Sequence, residues 1–377
     1  MAEAGPNVAI VHDYLTQRGG AERVVLSMLK AFPGAPVHTS LYDEHGTFPP
    51  FRDVQVRTLA LDRISGLRRN HRWALPFLAT AFTRHRVDAE VVLCSSSGWA
   101  HGVQTSGRKV VFCHTPARWL YDGRRYLGDD RRLASLGLAG LRRSLRGWDA
   151  RAAAGAHRYL ANSTVVREAI RRAYGIEAEV VPPPPTLDPA GPAEEVAGVT
   201  AGFVLCVARL LPYKNVDAVV EAFRDLPAEE LVVVGDGPER QRLEAGAGAN
   251  VRFVGRVTDA QLRWLYAGCR ALVTASREDY GLTPLEAASF GKASAVLRGG
   301  GFLDTVVEGE TGLFFDQPAP QPIAATLRRL LAAPPPPERL RAHAEGFSED
   351  RFVERLRQVV AEERERAGSD GTTSLRA

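Results

Sequence analysis

The chain is expected to fold as two doubly wound α/β domains, and three features of its sequence carry that expectation. Short apolar runs repeatedly enter a glycine- or charge-bearing loop and then a helical pattern, the unit from which parallel sheets covered on both faces are built. A proline-rich stretch, Pro182 to Pro185 with a Pro/Gly/Glu-rich continuation to Thr200, separates two sets of such units. Finally, 377 residues with 45% hydrophobic and 24% charged side chains suffice for two ordinary cores. The boundaries that follow are a first domain at 1–185, a stiff linker at 186–200, a second domain at 201–365 and a small, polar tail at 366–377, expected to be disordered.

Taken in order, residues 7 to 15, NVAIVHDYL, read as a buried strand entering Thr16-Gln17-Arg18-Gly19-Gly20 and the helix AERVVLSMLKAF. Gly19 and Gly20 allow a tight turn and close approach to a ligand, but a plain strand-to-helix turn would use them equally, and the full dinucleotide fingerprint is missing. Further strands are expected at Pro36 to Tyr42, Ala89 to Ser97, Lys109 to Thr115 and His157 to Ser163. The strand from Lys109 delivers His114 to its carboxyl end, where Pro116 forces the chain out of the sheet. A lone histidine is more often structural. The carboxyl end of a buried parallel strand, however, is where such sheets bind ligands.

The second domain opens with FVLCVARLLPYKNVDAVVEAF, again strand, loop and helix, with Arg209 and Lys214 in the loop. Solvated loop cations are the common fate of such a pair. Two cations between a strand end and a helix start also suit a nucleotide diphosphate, whose charge grows as the bond to it breaks. LVVVGDGPERQRLE and VRFVGRVTDAQLRWLYAGC repeat the unit, with Gly235 to Pro238 as a structural turn. Residues 271–291, ALVTASREDYGLTPLEAASFG, add a strand, a break from Arg277 to Gly281 and a helix start with Thr283 as N-cap, Pro284 at the first helical position and Glu286 third, closed by Gly291. Backbone N–H groups at Gly281, Leu282 and Thr283 would then face the same space as Glu278. Glu286 has a plain alternative as the third residue of a capping box. KASAVLRGGGFLDTVVEGETGLFF supplies another strand and a Gly299 to Gly301 turn, and Ser348 to Arg366 form a last charged helix.

Glu278-Asp279-Tyr280-Gly281, Glu286 after seven intervening residues, Gly299 to Gly301, and Arg209 with Lys214 upstream together resemble the Glu-x7-Glu segment of the family 4 retaining glycosyltransferases. The resemblance covers nearly the whole chain, and CHTPARWLYD is similar to what bacterial O-antigen mannosyltransferases of this family carry. It implies the GT-B fold, two Rossmann-like domains facing across a cleft, and transfer of a sugar from a nucleotide diphosphate to an acceptor hydroxyl with retention. It implies that Arg209 and Lys214 hold the diphosphate and, with the helix start at Thr283, stabilise it as it departs. Glu278 would bind sugar hydroxyls, Glu286 the ribose diol, and the backbone at Val257 beside Arg256 the base. Gly19, Gly20 and Glu22 would face the cleft, and His114 would reach the sugar from the opposite domain. Mannose from GDP-mannose is favoured over a UDP-sugar; the nucleotide sugar is a substrate, and no resident cofactor is expected. No metal is expected either, because no Asp-x-Asp motif stands among the candidates and two cations can do a divalent ion's work.

Composition narrows the setting. No apolar run approaches the roughly 18 residues of a membrane span, and MAEAGPNVAIVHDYL lacks the features of a signal peptide, so a cytoplasmic protein is expected. Cys94, Cys113, Cys206 and Cys269 are widely spaced, most of them in apolar runs, and read as packed thiols. Residues 1 to 185 hold 26 Lys and Arg against 16 Asp and Glu, a net +10, and the remainder 22 against 28, a net −6. Much of that surplus lies in two amphipathic stretches. Residues 63–78 interleave Arg63, Arg68, Arg69 and Arg72 with Trp73, Phe77 and Leu78; residues 131–151 set Leu133, Leu136, Leu141, Leu145 and Trp148 beside Arg131, Arg132, Arg142, Arg143 and Arg146. A core-facing stripe with a solvated arginine face explains both. An inner-leaflet surface serving a lipid-linked acceptor in polysaccharide or glycolipid assembly does so too. Nucleic acid is not indicated, since no recognition motif accompanies the charge. Three other classes stay open: a glycosyltransferase acting on a soluble aglycone, a nucleotide-sugar epimerase of the same fold, and a binding protein with a dead site. A phosphorylase would need a pyridoxal-phosphate lysine, and Lys214 is better explained as a phosphate ligand.

Overall fold

The computed structural model describes residues 7–69, 74–121 and 136–374. It divides into two compact units: one joins the chain up to Pro183 to its end from Glu349, and the other runs from Pro184 to Ser348. The first holds seven strands, β1 (Val8–His12), β2 (Val37–Thr39), β3 (Val56–Thr58), β4 (Val91–Ser96), β5 (Arg108–Cys113), β6 (Arg158–Ala161) and β7 (Glu179–Val180), in the order β3-β2-β1-β4-β5-β6-β7. The second holds β8 (Val204–Val207), β9 (Leu231–Val234), β10 (Val251–Gly255), β11 (Ala271–Thr274), β12 (Ala293–Leu297) and β13 (Gly312–Phe315), in the order β10-β9-β8-β11-β12-β13. The strand pairings within both sheets are parallel. Every residue of β1, β4, β9, β11 and β12 is buried, which is why these strands read as continuous apolar runs rather than alternating ones. Both units are therefore Rossmann-like α/β domains, as expected.

The expected strands are present, most with ends trimmed by one to three residues, while β5 begins one residue early at Arg108 and β11 begins at Ala271 as expected. Three strands were not anticipated, β3, β7 and β13, which have three, two and four residues at the sheet edges and are too short for a periodic signal. All four cysteines are free and buried, and burial pushes Cys94, Cys206 and Cys269 up to about 12. Among the described residues, no helix is long and apolar enough to cross a membrane.

The domain limits need two corrections. Residues 349–365 belong to the first unit, not the second, because the apolar stripe Phe352, Val353, Leu356, Val359 and Val360 joins the core built on Val24, Val25, Met28 and Phe112. Phe352 meets Phe112 edge-on, with ring centroids 5.7 Å apart. The same helix, Glu349–Ser374, continues well past residue 366, where a disordered tail was expected. Its amphipathic pattern was legible, but a stripe alone does not say which sheet it covers. The supposed linker is the other correction. Leu187 and Val199 are buried in the core of the second unit with Phe203, Leu265 and Tyr266, and Arg263 donates to the carbonyls of Asp188 and Pro192. Residues 186–200 are thus a packed part of that unit.

Candidate active site

In each sheet the strand order reverses once, between β1 and β4 in the first unit and between β8 and β11 in the second. Doubly wound sheets bind ligands outside the carboxyl ends of the strands at this switch point. Several of the residues singled out by sequence gather at these two places.

At the second switch point, β8 leads into the loop carrying Arg209 and Lys214, and β11 leads into Ser276 to Gly281. Lys214 Nζ lies 2.5 Å from Glu278 Oε1, the two side chains being 12% and 26% exposed. The Ser276 hydroxyl donates to the same oxygen. Asn215 adopts the left-handed conformation with φ 52° and donates its side-chain amide to the Ala275 carbonyl at 2.9 Å, which ties the Lys214 loop to the end of β11. Arg209 is exposed, with its guanidinium 3.4 Å from the Tyr213 hydroxyl. An ammonium has three donors and no acceptor, so one N–H on Glu278 leaves two for a further anion.

The loop after β11 is shaped by glycine. The Gly301 N–H donates to the Glu278 carbonyl at 2.8 Å, and a Cβ on Gly301 would stand 1.9 Å from the Tyr280 carbonyl oxygen. The turn can pack on the Glu278 loop only because Gly300 and Gly301 carry no side chains. Gly281, with φ 128°, is the N-cap of helix Leu282–Ser289 and makes no side-chain cap. This corrects the expected start: Thr283 is already the second helical residue, Leu282 the first, and Thr283 is not the cap. Gly291 closes the helix with φ 71°, as anticipated.

The capping-box reading of Glu286 falls with that correction. Its two oxygens accept hydrogen bonds from Thr186 Oγ1 at 2.8 Å and from the Tyr266 hydroxyl at 2.9 Å, and the residue is 7% exposed. Tyr266, itself fully buried and stacked on Phe290 at 5.4 Å, has its phenol held far above its usual value by burial and by the Glu286 carboxylate. Glu286 is therefore a carboxylate of fixed orientation. The reading of the sequence missed both partners, since Thr186 lay in the presumed linker and nothing local singled out Tyr266. Val257 follows β10 and packs partly buried beside the core of Phe203 and Leu265, while Arg256 is open to solvent, 3.6 Å from Asp236.

At the first switch point, Gly19 is the N-cap of helix Gly20–Ala31, and a Cβ there would stand 2.6 Å from Glu22 Oε2. Glu22 is 1% exposed and accepts from the Gln17 amide at 3.1 Å. His114 follows β5; its N–H donates to the Ser96 carbonyl at 2.9 Å and its carbonyl accepts from the Asn162 amide at 3.1 Å. Its ring Nε2 lies 2.8 Å from Ser95 Oγ. Burial, reinforced by the neighbouring His12, pulls the imidazole down to about 3. His114 is thus neutral across the ordinary pH range.

The basic stretches divide. Arg142 and Arg146 both donate to the Leu120 carbonyl, capping the short helix Arg118–Tyr121, and Leu145 is buried. Ile64, Phe77 and Leu141 are exposed, as is Arg68, 4.0 Å from Asp62. The Arg69 and Leu136 side chains, Arg72, Trp73 and Arg131 to Leu133 lie outside the described residues.

Two families match the chain in tandem. Residues 18–188 match Glycosyltransferase Family 4, and residues 192–347 match Glycosyl transferases group 1. Together the matches span most of the chain, which belongs to the GT-B glycosyltransferases that combine these two modules. Glycogen synthase 1 of Bradyrhizobium diazoefficiens is 31% identical over 140 residues, 34% of this chain and 29% of that one. A GDP-mannose-dependent alpha-(1-6)-phosphatidylinositol monomannoside mannosyltransferase of Mycolicibacterium smegmatis is 28% identical over 148 residues, 35% of this chain and 39% of that one. The chain thus spans well under half the length of these relatives. HepE of Anabaena, solved with UDP-glucose, superimposes with a TM-score of 0.68 at 18% identity, covering 94% of this chain and 98% of that one. This likeness is one of fold.

Proposed function

We propose that the chain is a retaining glycosyltransferase that moves a sugar, preferably mannose from GDP-mannose, to an acceptor hydroxyl in surface polysaccharide or glycolipid assembly. The observation that carries the reading is the fixed pair of Lys214 and Glu278 at the switch point of a donor-type domain, with Glu286 locked by Thr186 and Tyr266. In this reading Lys214 and Arg209 bind the diphosphate and offset the charge it gains as the glycosidic bond breaks. Glu278 orients the Lys214 ammonium and accepts from sugar hydroxyls, and Glu286 accepts from the ribose diol. The backbone at Val257 meets the base, Gly19 and Gly20 leave room for the ligand, and His114 contacts the sugar. Backbone N–H groups at Gly281, Leu282 and Thr283 add dipolar stabilisation of the leaving group. No divalent metal takes part.

The preference for mannose rests on the resemblance of CHTPARWLYD and on the mannosyltransferase among the relatives; the glycogen synthase among them makes a glucose donor the natural competitor. A screen of donors decides this. GDP-mannose should raise the melting temperature and be slowly hydrolysed, with product released unchanged by a chelator, while UDP-glucose should do neither. The reverse preference would reassign the donor. Release of a free isomerised sugar would make the protein an epimerase.

A further inference from the structure

Behind His114 stands a line of buried polar side chains to which the reading above gives no task. His12 ends β1, Ser95 lies beside it on β4, and His114 follows β5, so three adjacent parallel strands deliver them to one end of the sheet. His12 Nδ1 is 3.0 Å from Ser95 Oγ and 3.2 Å from the Ser95 carbonyl oxygen. Ser95 Oγ is 2.8 Å from His114 Nε2. On the far side, His12 Nε2 is 3.9 Å from Glu22 Oε1. His12, Ser95 and Glu22 are 2%, 0% and 1% exposed.

The hydrogens in this line are fixed by what each atom can do. A carbonyl only accepts, so His12 Nδ1 must carry a hydrogen, which it shares between the Ser95 carbonyl and Ser95 Oγ. A hydroxyl that accepts from His12 has one hydrogen of its own to give. Among the described residues its other partner is His114 Nε2. Were Nε2 to carry a hydrogen as well, the Ser95 hydroxyl would face two donors and lose its acceptor in a site closed to water, leaving a buried donor unsatisfied. His114 Nε2 is therefore the acceptor, and the ring's hydrogen is on Nδ1.

We infer that His12 and Ser95, with Glu22 behind them, form a positioning relay that fixes His114 as the neutral tautomer protonated on Nδ1. His114 then offers a hydrogen-bond donor, and no base, to whatever it meets; that this is the sugar rests on the reading above. The electrostatics agree. Burial pulls the His12 imidazole down, but Glu22, Asp13 and the Ser95 carbonyl outweigh it and raise His12 above its usual value. When His12 carries its proton, its charge in turn helps to hold His114 neutral. Gly19 takes part by its missing side chain, since a Cβ there would press on the Glu22 carboxylate.

The test is nitrogen NMR on the full chain labelled at histidine, with His114 assigned by its absence in His114→Asn. In the wild type, His114 should carry its hydrogen on Nδ1 and show no titration between about pH 5 and 8. In Ser95→Ala it should become a mixture of tautomers, and turnover of the donor should fall about tenfold or more, as when a catalytic histidine takes the wrong tautomer. Ser95→Thr, which keeps the hydroxyl, should restore both. A wild-type His114 protonated on Nε2, or one that titrates in that range, overturns the relay whatever the activity, and so does a Ser95→Ala protein with the wild-type tautomer. A relay found intact beside a fully active His114→Asn would instead remove His114 from the reaction while leaving the relay standing.

Discussion

At the switch point of the second unit Lys214 and Glu278 form an ion pair with 12% and 26% of its side chains in solvent, whereas at that of the first His114 is joined to Ser95 in an interior that keeps its imidazole neutral. The same sheet topology thus carries two kinds of polar group. A partly solvated ammonium with spare donors can take on a phosphate without first stripping itself of water at full cost, and it responds to charge that appears during reaction. A half-buried neutral imidazole cannot respond in that way. It can only offer one hydrogen in one direction, so its value lies in the side chains that hold it.

If that contrast is right, the second unit should show the larger energetic effect. Lys214→Ala is expected to lower kcat/KM by about 2 to 4 kcal/mol of transition-state stabilisation, with the melting temperature nearly unchanged because the pair is partly solvated. Single-turnover measurements on the best donor would check it. Wild-type turnover in the variant would remove Lys214 from the mechanism and leave the Glu278 pair as surface cement.

The charge of the two regions offers a second way to break the comparison. The basic surplus of the first 185 residues includes Arg68, which is exposed, as are Ile64 and Phe77, and the sequence neighbours Arg69 and Arg72. Basic residues near an anionic leaflet contribute about 1 kcal/mol each, so changing these three together should weaken sedimentation with anionic vesicles at low salt by about a hundredfold. Binding should also fall steeply with salt, while donor hydrolysis persists. Indifference to vesicles, with equal glycosylation of a small soluble alcohol, would make these arginines an ordinary solvated face and the acceptor a soluble metabolite.

The two glutamates sharpen the contrast within the second unit. Glu286 is held by Thr186 and Tyr266 and Glu278 by Lys214 and Ser276, so each should report on a different part of the donor. Glu286→Gln should weaken nucleoside diphosphate binding about tenfold, the loss of roughly one charge-assisted hydrogen bond. Glu278→Gln should spare that binding and impair use of the sugar. Calorimetric titration with the diphosphate alone separates them, and equal losses in both would dissolve the assignment.

How much of this was legible follows the range of each interaction. Strands such as Val91–Ser96 and loops such as Arg209 to Lys214 are written in local runs of a few residues, and both were read correctly in kind. Thr186 and Tyr266 meet Glu286 from 100 and 20 residues away, and nothing local marks either as a partner. Likewise Glu278 and Lys214 were each recognised, but not that they are paired across 64 residues. The N-cap error had a local cause: Thr-Pro-x-Glu favours a start at Thr283, yet Gly281 at φ 128° turns the chain two residues earlier, because a side chain there would strike Phe302 and Thr305. The last helix was found and placed in the wrong unit, since its Phe352 to Val360 stripe fits either core by pattern alone.

That helix supplies the smallest expected effect and a contrast in acid. Arg158 donates to Glu179 and Glu362, Arg355 donates to the same two carboxylates, and Arg108 pairs with the buried Glu363 at 2.8 Å, so the helix is tied to β5, β6 and β7 by ions as well as by Phe352 and Leu356. Burial alone would push Glu179 up, but hydrogen bonds from Arg355 and Arg158 outweigh it and lower it below the usual value; the same two arginines lower Glu362. A carboxylate lowered in the folded state binds fewer protons there than when unfolded, so its contribution is complete above the unfolded value of about 4.3 and is lost as pH falls through the folded one. The Glu179 and Glu362 side chains are 30% and 40% exposed, and solvent screening reduces what the pairs contribute. The expected result is a fall of a few degrees in the first unit's melting temperature on acidification from about pH 5.5 to 3.5. Arg355→Gln should lower it at neutral pH and flatten its acid dependence. A melting temperature that holds through that range in the wild type, or an Arg355→Gln variant with the same acid profile, would mean that the apolar stripe alone secures the helix.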